Sequence, residues 1–149
     1  MRRILPFVLL GVIALAPSVG RAQQASPKQA AVRAAVEHYF KGHATGDGSH
    51  FAKVFHADAK LFWIGPDGAV MQRTAADYIR GASGRPAADE AQRKRRIVSL
   101  DITGSTAMVK VELDYPAAKF TDYFSMVELK GEWWIVNKTY FVERKTAGN

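Results

Sequence analysis

Thr121–Phe141, reading TDYFSMVELKGEWWIVNKTYF, constrains the fold of this chain more than any other stretch. Two runs rich in β-branched and aromatic residues flank Lys130-Gly131, the tight connection of a β-hairpin. Upstream, Thr106–Tyr115 alternates Ala107, Val109, Val111 and Leu113 with Lys110, Glu112 and Asp114, the period of a strand with one buried face. Gly104-Ser105 supplies a turn before it, and Pro116 marks a corner after it. The last third of the chain therefore reads as four antiparallel strands: Arg93–Thr103, Thr106–Tyr115, Lys119–Leu129 and Glu132–Glu143.

The region before them is mostly helical. Ser26-Pro27-Lys28-Gln29 carries an N-cap serine, a proline suited to the first helical position, and a glutamine that can close a capping box. The helix runs to about Thr45, with Gly46 as its left-handed terminator. Val32, Val36, Tyr39 and His43 recur at three- and four-residue spacing and form one buried stripe. Asp47 caps a short second helix over Ser49–Phe55. Lys60–Ile64 and Ala69–Arg73 read as short strands around Pro66-Asp67-Gly68, and Thr74–Arg80 as a third helix. Gly81–Gln92, rich in Gly, Ala and Pro, has no periodicity and reads as a mobile loop. The order implies an α+β fold, with helices packed on one face of a curved antiparallel sheet.

The first residues are of another kind. Arg2-Arg3, the apolar run Ile4–Ala16, and the small residues Gly20 and Ala22 make a signal peptide over residues 1–22. The run is short for a membrane span of about 20 residues, so a retained anchor is the lesser alternative. Residues 23–29 read as a polar leader and 30–145 as one domain. Cleavage leaves 18 basic residues against 14 acids, a formal charge of +4 rather than +7. That balance does not call for nucleic acid. The run Arg93-Lys94-Arg95-Arg96 alternates faces and cannot form a single patch; it reads as a solvated strand opening. The absence of cysteine excludes disulfides, thiol nucleophiles and Cys-ligated zinc.

Three short blocks, Tyr39-Phe40-Lys41-Gly42 through Thr45-Gly46-Asp47, Phe55-His56-Ala57-Asp58-Ala59, and the closing hairpin with its Asp-Tyr-Phe opening and Ile-Val-Asn-Lys exit, resemble the "putative lumazine-binding" family. That family lies within the nuclear transport factor 2-like (SnoaL-like) superfamily. The resemblance covers Ala31–Glu143. It implies a cone-shaped fold, a ligand held between the first helix and the concave sheet face, and dimerisation through the outer sheet face.

Tyr39 lies on the apolar stripe, so its hydroxyl needs a buried partner. It resembles the helix-one tyrosine of ketosteroid isomerases, which donates to a developing oxyanion. The position matching their catalytic carboxylate is Trp63, so proton abstraction of that kind has no agent. Asp122 lies in an apolar, aromatic run and must find a donor or lose its charge by desolvation. Facing inward, it would pair with Lys138 or Tyr39; facing outward, it would be a solvated or dimer-facing acid. Lys138 sits mid-strand among apolar neighbours, and His43 shares Tyr39's face one turn on. Tyr39, Asp122 and His43 are thus the candidate catalytic residues, and Tyr39, Trp63, Asp122 and Lys138 the candidate ligand contacts. His38 and His43, about 140° apart around the helix, cannot chelate together, and no metal-binding motif is present.

The sequence therefore reads as an exported, periplasmic or secreted small-molecule-binding domain. It would have an apolar pocket for a small, flat ligand, would form a homodimer, and would need no cofactor. Its rivals are a cofactor-free acid/base enzyme (a lyase, isomerase or hydrolase) and a dimeric structural adaptor with a filled cone.

Overall fold

The computed structural model describes residues 26–146, so the expected signal peptide and residues 23–25 of the leader lie outside the described residues. Helix α1 (Pro27–Thr45) starts with a closed capping box. The Ser26 hydroxyl accepts from the Gln29 N–H, and the Gln29 side chain accepts from the Ser26 N–H. It ends at Gly46, whose φ of 71° is left-handed. Val32, Val36 and Tyr39 are fully buried, and Gly42 continues their face so closely that the Phe51 ring stands 2.5 Å from where a Cβ would be. Asp47 caps α2 (Gly48–Ala52), and Thr74 caps α3 (Ala75–Arg80).

The strands are β1 (Phe55–Ile64), β2 (Val70–Thr74), β3 (Lys94–Thr103), β4 (Thr106–Asp114), β5 (Ala118–Leu129) and β6 (Glu132–Arg144). They form one mixed sheet in the order β2-β1-β6-β5-β4-β3. Every other neighbouring pair is antiparallel, but β1 runs parallel to β6. Strand β1 also starts at Phe55 rather than Lys60, because Phe55 pairs with Ile135 far along the chain, a partner that local periodicity cannot reveal. The last hairpin turns through Lys130 (φ 54°) and Gly131 (φ 84°), both left-handed, as a two-residue turn matching the strand twist requires.

One irregularity decides which side chains enter the interior. Ser125 pairs with Asn137, but the next residue, Met126, pairs with Ile135, leaving Val136 as an extra residue in β6. Ile135 and Lys138, three positions apart, are consequently both buried on the concave side. Across the sheet, Val109, Val111, Leu113, Phe124, Leu61 and Ile135 pack against Val32, Val36 and Tyr39. Trp133 joins this core, while its neighbour Trp134 is half-buried beside His56.

The segment expected to be a mobile loop is tied at several points. Gly84 donates its N–H to the Gly46 carbonyl at 2.8 Å, and a 3-10 turn covers Glu90–Gln92. Asp89 pairs with Arg93, and Glu90 holds Arg95 through two bonds of 2.7 and 2.8 Å. These ties set the segment beside the C-terminal end of α1, where the interior opens.

Candidate functional site

Asp122 faces inward. It sits opposite Tyr140 on β6, close to the Phe124–Lys138 pair, and has no exposed surface. Its Oδ2 accepts from the Tyr39 hydroxyl at 2.6 Å and from Lys138 Nζ at 3.0 Å. Lys138 also donates to the Tyr39 oxygen at 2.5 Å, which closes a triangle of three buried polar groups. Rings of Tyr39, Tyr78 and Tyr140 lie 4.8–5.3 Å from the Lys138 ammonium, so the cation is enclosed by aromatic faces. Burial pushes the Tyr39 phenol well above its ordinary value, and the Asp122 charge adds to this. Tyr39 therefore stays a donor. Burial lowers the Lys138 pKa, an effect that Asp122 opposes. The second Asp122 oxygen, Oδ1, is buried without a hydrogen-bond partner among the described residues.

Next to the triangle, toward the opening, the Tyr78 hydroxyl meets His43 Nε2 at 2.9 Å. His43 packs edge-on to Tyr39 and Phe51, with ring centroids 4.7 and 5.1 Å apart. Desolvation, followed by the Lys138, Arg95 and Arg93 charges, holds the His43 pKa well below 6.5. The imidazole is thus neutral at pH 7, and its protonation opposes the fold. Because the unfolded chain takes up a proton below pH 6.5 and the native state does not, stability falls as pH drops from 6.5 toward the depressed native value. The slope contributed by this one group approaches about 1.4 kcal/mol per pH unit. His43→Gln should remove that slope, so urea unfolding at pH 7.5 and 5.5 should give a smaller difference for the variant than for the parent. The half-exposed His38, whose pKa is also lowered by desolvation first, contributes in the same direction in both proteins.

Beside His43 and Tyr78 lies a cavity of about 240 Å3, whose lining includes Gly42, Phe51, Arg73 and Arg93. It is smaller than the roughly 300–1,000 Å3 typical of drug-sized ligand sites, so it suits a small metabolite. A larger groove of about 530 Å3 lies elsewhere, between α3, the start of β1 and the β5–β6 hairpin. Ala52, Ala75, Ala76, Ile79, Leu129 and Trp134 give it a mainly apolar wall. Convergent polar groups distinguish a specific site from a surface depression, and they are found at the smaller cavity.

The family model described as "putative lumazine-binding" matches residues 27–141, which span both the buried triangle and the cavity. The chain belongs to this family. Among solved structures, a nuclear transport factor 2-like protein of unknown function from Shewanella baltica aligns with a TM-score of 0.71. It is 21% identical and covers 78% of this chain and 94% of its own. A similar protein from Silicibacter pomeroyi gives a TM-score of 0.69 at 25% identity, over 81% of this chain and 100% of its own. One from Methylobacillus flagellatus gives 0.68 at 26%, over 81% and 96%. No curated protein matches the chain.

Within this lumazine-binding-type domain, the residues singled out from sequence occupy distinct places. Tyr39, Asp122 and Lys138 converge in the interior and bond to one another rather than lining the cavity. His43 lines it. Trp63 is half-buried and stacks on Tyr140 at 5.5 Å, with Arg73 5.9 Å from its ring centroid. Among the described residues no group of three potential metal ligands occurs, although His38 and His50 stack with their Nδ1 atoms 3.5 Å apart. Sequence reasoning misses Tyr78, Arg73 and the arginines before and within β3. Arg95 is bonded to Glu90 and Tyr115, and Arg93 lies over the Tyr115 ring at 4.3 Å. A signal is present: Arg95 shares strand parity with the half-buried Ile97, whereas Lys94 and Arg96 point outward.

Proposed function

We propose that this protein is an exported binding protein for a small, flat metabolite that enters beside His43 and Tyr78. The observation that carries this reading is the convergence of a neutral, hydrogen-bonding histidine–tyrosine pair on the cavity, above a rigid buried triangle. The triangle fixes α1 against β5 and β6, and so holds His43 in place without conformational cost at binding. Phe51 and Tyr78 supply aromatic walls for a flat ligand. Binding without turnover is favoured because the candidate acid and base, Asp122 and Tyr39, are already bonded to each other and to Lys138. Support for export comes from residues 1–22, with their basic start, apolar run and small residues before a cleavage point.

Native mass spectrometry of the protein purified from its exported fraction, followed by denaturation, tests this reading. A discrete released molecule of metabolite size supports it. A bare polypeptide that also takes up no compound from a metabolite extract counts against it, and favours the filled-cone adaptor.

The same reading includes a homodimer through the outer sheet face. Met108, Tyr123 and Phe141 are 52%, 45% and 70% exposed there, on strands that lie side by side. Such a grouping of large apolar side chains is a usual mark of an interface. Sedimentation should show a dimer that Phe141→Glu with Tyr123→Glu converts to a folded monomer. Unchanged mass in that double variant would rule this face out.

A further inference from the structure

Among the described residues, Arg73 and Arg93 are the charged ones that line the small cavity, and no Asp or Glu lines it. They come from different elements, Arg73 from β2 and Arg93 from the residue before β3. The other cations nearby are neutralised. Glu90 takes Arg95 bidentately, and Asp122 takes Lys138. Arg93 is partly compensated: its Nε donates to Asp89 at 2.7 Å while its guanidinium lies over Tyr115. Arg73 has no acidic partner within ion-pair distance among the described residues, since nearby Asp77 is bonded to Arg80 and Thr74. The cavity thus carries about one uncompensated positive charge at its rim. Deeper in, the polar groups are neutral (His43 and Tyr78), and at the exposed edge the Ser83 hydroxyl already donates to the Arg85 carbonyl.

Resting on the binding reading above, we infer that the ligand is a small aromatic monocarboxylate, with its carboxylate toward Arg73 and Arg93 and its ring against Phe51 and Tyr78. Guanidinium groups match the planar carboxylate through paired N–H donors, which a lysine ammonium would not do. One net charge at the rim suits a monoanion better than a phosphate dianion, whose second charge would be desolvated without a partner. The neutral His43–Tyr78 pair can serve a hydrogen-bonding edge on the far side of the ring, as heteroaromatic acids present.

Titration calorimetry with benzoate and nicotinate, each against its amide and against phenyl phosphate, tests the inference. The acids should bind at least about tenfold tighter than benzamide and nicotinamide. Arg73→Gln should erase that preference, and Lys53→Gln, an exposed charge away from the cavity, should preserve it. Arg73→Gln is also a surface change that leaves folding intact, and its unfolding midpoint verifies this. Amides that bind as tightly as acids would overturn the anion inference while leaving the binding reading standing. Phenyl phosphate binding more tightly than benzoate would overturn the monocarboxylate assignment. Failure of every compound at about 10 mM would also overturn it, and the co-purified molecule would then judge the binding reading separately.

Discussion

Replacing Asp122 by alanine should lower the stability of the domain by about 3–5 kcal/mol. The reason is asymmetric. Lys138 is 4% exposed, and Asp122 is its counter-charge, at 3.0 Å. Removing the carboxylate leaves a desolvated cation held only by aromatic faces and the Tyr39 oxygen. Against a total of roughly 5–15 kcal/mol for a domain, such a loss is large. Lys138→Met should cost less by itself, because the remaining Asp122 still accepts from the Tyr39 hydroxyl. In Asp122→Ala with Lys138→Met, neither charge remains, so the double variant should be at least about 2 kcal/mol more stable than additivity predicts. Urea unfolding of the four proteins measures this. Strict additivity would mean that the pair is not coupled and that the triangle does not fix the interior.

Gly46→Ala should have the next largest effect, about 2–5 kcal/mol, the sum of a conformational and a packing cost. Its φ of 71° costs a residue with a Cβ about 1–2 kcal/mol. Overpacking adds about 1–3 kcal/mol, because the new methyl would lie 2.2 Å from the Arg85 carbonyl oxygen, which belongs to backbone and cannot rotate away. The same residue accepts the Gly84 N–H, so relief of the clash moves the 81–92 segment that walls the small cavity. Ligand affinity should therefore fall along with stability. Gly104→Ala offers the comparison, since it shares a left-handed φ of 61° but has open space around its Cβ position. That variant should lose only the conformational part. Equal losses at the two sites would show that the packing of this segment contributes nothing.

Features set by residues close in sequence are legible in the sequence itself. The capping box at Ser26–Gln29, the left-handed stop at Gly46, the Lys130-Gly131 turn and the alternation of Thr106–Asp114 each depend on local chemistry, and each stands as expected. The family-like blocks extend that to the α+β architecture. For Asp122 the sequence offers Lys138 or Tyr39 as an inward partner, and in the folded chain both bond to it at once. The side it faces is not legible, because both faces of β5 carry apolar residues and the bulge at Val136 resets the parity of β6. The parallel β1–β6 pairing is hidden for a similar reason, since it joins segments far apart in the chain. Tyr78 lies on a helix of six residues, too short to show a face. Arg93 and Arg95 are concealed within a run of four charges, although alternation already divides that run into two sets.

Binding beside His43 and Tyr78 is the central claim, and the four histidines make it directly measurable. His43 lines the small cavity, His56 lines the larger groove, and His38 and His50 stack together away from both. Side-chain 15N spectra of the protein, followed through a benzoate titration, report on all of them at once. The account predicts that the His43 signals move with a saturating dependence while those of His56 stay fixed. Movement of His56 with His43 unchanged would contradict it, and would place the ligand in the groove between α3 and the β5–β6 hairpin.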